Sequence, residues 1–138
     1  MKAFLITAVA ALLLALALSS QADDQTAPAV QAAEAWLALV DAGNYTASWQ
    51  EAAPAFKEAV TKTQWEAAAE SARRPLGELE SRELLGAQFT TALPGAPDGD
   101  YVVIQFKAKF SHKAEAIETV TPMKDPAGVW RVSGYFVR

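Results

Sequence analysis

The chain reads as an α+β domain in which helices come first and an antiparallel sheet follows. Apolar residues recur at helical spacing from Val30 to Arg74. Strict alternation sets in from Tyr101 to Phe110. Two turn-forming runs, Pro94 to Gly99 and Asp125 to Gly128, then separate segments rich in β-branched and aromatic residues.

Pro28 suits the first turn of a helix, and Val30, Ala33, Trp36, Leu37 and Val40 form one apolar stripe, with Gln31, Glu34 and Asp41 between them. Gly43 closes this helix and Asn44 caps the next, which runs from Tyr45 to Ala53 with Trp49 inward. Pro54 opens a short turn reaching Phe56 and Val60. Thr63-Gln64-Trp65-Glu66 has the spacing of a capping box, and its helix continues through the alanines to Arg73-Arg74, where Pro75-Leu76-Gly77 stops it. The helical layer is thus read as three helices and a short turn.

Glu78 to Leu85 favours helix by composition, but its place before Phe89-Thr90-Thr91 suits a long first strand, taken from Leu79 onward. In the second strand Val102, Ile104, Phe106, Ala108 and Phe110 share one face. Tyr101, Val103, Gln105, Lys107 and Lys109 share the other. Ile117 to Met123 and Val129 to Val137 supply the third and fourth strands, giving a four-stranded meander with the helices on one side.

The N-terminus carries an address. Lys2 precedes an apolar run from Phe4 to Leu18, and Ser20-Gln21-Ala22 places small residues where a signal peptidase cuts. The run is shorter than the roughly 20 residues of a membrane span. The expected organisation is a signal peptide over residues 1–22, a flexible lead-in over 23–29 and one α+β domain over 30–138. The whole chain carries 12 Lys and Arg against 16 Asp and Glu, and Lys2 is the one charge in the leader; the mature chain therefore carries 11 against 16. An acidic surface argues against nucleic-acid or anionic-membrane partners. Cysteine is absent, so neither a disulfide nor a lipid-anchored N-terminal cysteine is available. The expected location is the periplasm after signal cleavage, with secretion as the alternative.

Chemistry-bearing patterns are sparse. One histidine, His112, lies in a hairpin turn, and without cysteine no nitrogen- or sulfur-rich metal site can be assembled. Asp98-Gly99-Asp100 has the start of a calcium loop and none of its later ligands, which reads as a plain turn. No serine sits in a nucleophile elbow. Arg73-Arg74 either binds an anion or answers the negative end of its helix. Lys107 and Lys109 share a strand face and can pair with Glu118 on the next strand, or form a charged face that docks a partner. Neither catalytic residues nor a cofactor is expected.

The segment LPGAPDGDYVVIQFKAKF, followed by ETVTP and VWRVSGYFVR, resembles the bacterial exported family catalogued as domain of unknown function 4019, as do AWLALVDAGNYTASW and RRPLGELESREL upstream. The resemblance covers Ala32 to Arg138. It implies a cone of the nuclear-transport-factor-2 type, three helices on a curved four-stranded sheet, and no defined activity. Such a cone makes Tyr45, Trp49, Phe106, Glu118 and Tyr135 candidates for a pocket wall. Trp36, Trp65, Phe56, Trp130 and Phe136 are expected chiefly in the core.

Three functional readings follow. The leading one is a non-enzymatic domain that binds a small apolar or amphipathic molecule, or a peptide, in an aromatic-lined pocket. The second is an interaction module that self-associates as a homodimer through the sheet face bearing Lys107 and Lys109. The third is an isomerase-type enzyme, which needs an acid or base in an apolar pocket; only Glu118 is placed to point inward.

Overall fold

The computed structural model describes residues 25–138. The expected signal peptide, residues 1–22, lies outside the described residues. Helix α1 runs through residues 25–41 and buries Ala29, Ala33, Trp36, Leu37 and Val40, the stripe read from the sequence. Residues 25–29 are therefore helical rather than a flexible lead-in. Ala29 is fully buried, which holds the first described turn to the core. Gly43, at φ 75°, ends the helix in a Schellman arrangement: its N–H donates to Val40 O and that of Asn44 to Leu39 O.

Helices α2 (Tyr45–Glu51), α3 (Pro54–Ala59) and α4 (Lys62–Arg73) follow. The turn expected after Pro54 is thus a helix in its own right, with Pro54 at its first position. Asn44 occupies the N-cap position of α2 but makes no side-chain capping bond. The capping box of α4 is Thr61 with Gln64, not Thr63 with Glu66. Thr61 Oγ1 accepts from Gln64 N at 3.1 Å and Gln64 Oε1 accepts from Thr61 N at 3.0 Å. Both pairs fit the spacing, and the earlier one wins because the helix starts at Lys62. Glu66 is freed to accept from Thr46 Oγ1 at 2.6 Å, tying α4 to α2.

A 3₁₀ turn at Arg74–Leu76 leads into β1 (Leu79–Thr90), β2 (Tyr101–Phe110), β3 (Lys113–Lys124) and β4 (Trp130–Val137). They form one antiparallel meander in the order β1-β2-β3-β4. The strand reading of Glu78 to Leu85 holds from Leu79, because the pairing of β1 with β2 outweighs helix propensity. Shifts of register at Leu79/Ser81 and Leu84/Gly86 in β1, and at Ser133 in β4 opposite Thr121/Pro122, bend the sheet around the helices.

The core lies between α1, α2, α4 and the inner face of the sheet, and it is organised by indoles. Ser48 is fully buried among them. Its carbonyl accepts from Trp36 Nε1 at 2.8 Å and its hydroxyl from Trp65 Nε1 at 2.9 Å. One small polar residue thereby satisfies two buried donors that would otherwise be unpaired. Trp49 Nε1 donates to Val60 O at 2.8 Å. Ala53 N donates to Val132 O at 2.8 Å and fastens the start of α3 to β4. Phe136, expected in the core, is 58% exposed, because it opposes Thr119 on the outer face of the sheet. No helix among the described residues is long and apolar enough to cross a membrane.

Gly77 joins the helical half to the sheet at φ 77°. A Cβ there would lie 2.0 Å from Ser111 Oγ and 2.4 Å from His112 Cδ2, in the β2–β3 hairpin turn. Gly77→Ala is expected to destabilise the fold by about 1–3 kcal/mol in urea titration. Gly134→Ala, whose Cβ meets nothing within 4 Å, should change it by no more than about 0.5 kcal/mol.

Candidate functional site

Two features stand out inside the fold, and Tyr135 belongs to both. The first is a buried polar cluster. Glu118 alternates with Ala116 and Val120 on the inner face of β3 and opposes Phe106 on β2. Arg82 opposes Ala108 from β1 and is 13% exposed. Its Nε donates to Glu118 Oε1 at 2.7 Å and its Nη2 to Glu118 Oε2 at 3.2 Å. The far side of the same guanidinium grips Asp41, at the C-terminal end of α1, through Nη1 to Oδ2 at 2.8 Å and Nη2 to Oδ1 at 2.9 Å. Arg73, at the end of α4, adds a bond from Nη2 to Asp41 Oδ1 at 2.7 Å, and Tyr135 Oη donates to Glu118 Oε2 at 2.5 Å. Two arginines and two carboxylates make the cluster neutral.

Its electrostatics follow from these contacts. Burial alone would raise the Asp41 carboxyl, but the hydrogen bonds and charges of Arg82 and Arg73 outweigh it and hold Asp41 below its ordinary value. Burial would likewise lower Arg82; the bonds to Asp41 and Glu118 reverse that and keep it firmly protonated. Burial, then the charge of Glu118, push the Tyr135 hydroxyl well above the usual tyrosine range.

The second feature is a groove of about 540 Å³ where β2 begins and β3 ends. One wall is α3 (Ala55, Phe56, Ala59) and the other is the β1–β2 loop from Leu93 to Pro97. Tyr101, Thr121, Met123, Ser133, Gly134 and Tyr135 complete it. None of its lining residues is charged. Pro122 and the adjoining register shift interrupt the β3–β4 ladder here, and Ser133 Oγ takes up the Thr121 carbonyl at 2.7 Å. Tyr101 Oη donates to Pro97 O at 2.5 Å and fixes the loop from beneath.

Of the residues singled out from the sequence, Tyr135 lines the groove and Glu118 touches it only through Tyr135. Phe106 is buried core with Arg82 6.0 Å above its ring. Trp49 packs against the core, and Tyr45 borders a separate shallow basin beside Asp41 and Arg73. Lys107 and Lys109 do not pair with Glu118, which lies on the opposite face of the sheet; they meet Glu115 at 3.6 Å and Glu80 at 3.4 Å on the exposed surface. His112 sits in its turn, its backbone N–H donating to Leu76 O at 2.9 Å. Among the described residues no three of His, Cys, Asp and Glu come together as metal ligands. Asp41, Arg82, Phe56, Tyr101 and Met123 were not anticipated. Arg82 and Asp41 carry no local signal, since their partners lie 36 and 41 residues away along the chain.

The state of Asp41 gives the cluster a pH dependence. The folded carboxyl titrates below the ordinary 3.8, so its contribution is complete above that pH and is lost as pH falls through the folded value. In urea titrations the parent should exceed Asp41→Asn by about 3 kcal/mol at neutral pH, with the gap narrowing below pH 3.8. A gap independent of pH would contradict this assignment.

No curated protein matches the chain. The model of one family, described as a protein of unknown function (DUF4019), matches residues 32–135, three quarters of the sequence. The chain belongs to that family of proteins of unknown function.

Proposed function

We propose that this protein is a non-enzymatic binding domain whose groove holds a small apolar or amphipathic molecule. The observation that carries this reading is the groove itself: about 540 Å³, walled by Phe56, Tyr101, Tyr135, Leu93 and Met123, with no charged residue in its lining. Such a surface favours burial of apolar area and rejects ions, which would lose hydration without finding a partner. A curved sheet closing on helices is also what a nuclear-transport-factor-2-like cone provides. The isomerase alternative is weakened by the commitments of Glu118. Both its oxygens already accept from Arg82 and Tyr135, so a substrate proton would have to displace existing bonds. The N-terminal apolar run supports export to the periplasm, where such a domain would meet its ligand.

Self-association through the sheet is the second reading. Exposed Phe136 on β4 favours it; Lys107 and Lys109 do not, since each has a carboxylate partner within the chain.

The neutral fluorophore N-phenyl-1-naphthylamine tests the groove. The parent should bind it saturably. Ala59→Trp, which places a large side chain at an exposed position in the α3 wall of the groove, should weaken binding by at least about tenfold while leaving thermal stability nearly unchanged. Equal binding by parent and variant would remove the groove as the site.

A further inference from the structure

Arg73 is only 6% exposed, yet two of its three guanidinium nitrogens, Nε and Nη1, are buried without a hydrogen-bond partner. Native structures rarely leave a charged donor in that condition. The nearest carboxylate cannot supply it. Asp41 Oδ1 already accepts from both Arg73 Nη2 and Arg82 Nη2, and Oδ2 accepts from Arg82 Nη1. The guanidinium rests instead on the Phe110 ring, 4.9 Å from its centroid. Arg73 also borders a basin of about 300 Å³ between the end of α1 and the turn after α4, lined further by Asp41, Gly43, Tyr45, Arg74 and Gly77. Arg74 brings a second guanidinium, held at the surface by Glu70 at 2.6 Å. The Tyr45 hydroxyl has no hydrogen-bond partner among the described residues. Arg73, Arg74 and Tyr45 thus border one small open volume, with the unfilled donors of Arg73 buried beneath its surface.

We propose that this basin binds a small oxyanion, a carboxylate or phosphate group, that accepts from Arg73 and Arg74. The site is separate from the groove and does not depend on the function proposed for it. Arg73 Nε and Nη1 are covered, so an anion reaches them only when the guanidinium moves off the Phe110 ring while Nη2 keeps Asp41. Asp41, already held by two arginines, presents little free negative charge to oppose it.

The test follows the arginine Nε–H resonances by nitrogen-15 NMR while sodium phosphate or sodium acetate is added at ionic strength matched with sodium chloride. The Arg73 resonance, assigned by its loss in Arg73→Lys, should shift saturably over about 1–10 mM. Arg74→Ala, a surface change, should raise the midpoint about tenfold with the melting temperature unchanged. Saturation by phosphate alone identifies a phosphate site; saturation by both identifies a general oxyanion site. A shift that never saturates, that chloride reproduces, or that Arg74→Ala leaves untouched would overturn the proposal. If Arg73→Lys fails to fold, through-bond assignment of the Arg73 side chain in the parent identifies its resonance, and the Arg74 arm still decides the matter.

Discussion

One guanidinium holds the two layers of this fold in register. Arg82 reaches from the edge strand to Glu118 two strands away on one side and to Asp41 at the end of α1 on the other, both as two-bond forks. Such a contact is demanding. Taking charges out of water costs several kcal/mol per ion, and the cost is offset only when every charge meets its partner in good geometry. Wrong pairings are therefore strongly disfavoured. A slip of β3 by one residue would carry Glu118 to the outer face and leave Arg82 buried without its carboxylate. The cluster thus specifies which strand register and which helix placement are acceptable, beyond what apolar packing alone would demand.

The remaining architecture is arranged around that junction. Ser48 resolves the other polar problem of the interior, the indole donors of Trp36 and Trp65, so the aromatic core carries no unpaired N–H at those rings. Tyr135 connects the two regions. Its ring packs 5.6 Å from Trp36 and 6.4 Å from Trp65, and its hydroxyl closes the polar cluster on Glu118. At the opposite end of the sheet, where no charge is buried, Pro122 and the register shift interrupt the β3–β4 ladder and the groove opens. Rigidity and cavity are separated in space, and Tyr135 borders both.

Local rules made much of this fold legible. The alternation of β2, the apolar stripe of α1 and the glycine that ends it each depend on neighbours a few residues away, and each appears as expected. Where two local solutions competed, sequence reading could choose wrongly: Thr61 and Thr63 both begin a plausible capping box. The polar cluster was largely hidden for a different reason. Asp41, Arg82 and Glu118 are separated by 36 and 41 residues along the chain, and nothing near any of them announces its partner. Glu118 alone was visible as a charge on an apolar face. Its assignment to Lys107 or Lys109 failed because those lysines belong to the opposite side of the pleat. The groove was hidden too, since its walls come from α3 and the β1–β2 loop, which meet only in the folded chain.

The most direct test of this account is a double-mutant cycle on Arg82 and Glu118, using Arg82→Met and Glu118→Leu and reading unfolding free energies in urea. Each single change is expected to cost about 3–5 kcal/mol, because it strands a buried charge, while the double change costs clearly less than the sum. Additive effects would contradict it, showing that the two residues stabilise the fold independently and that the junction does not hold its layers together.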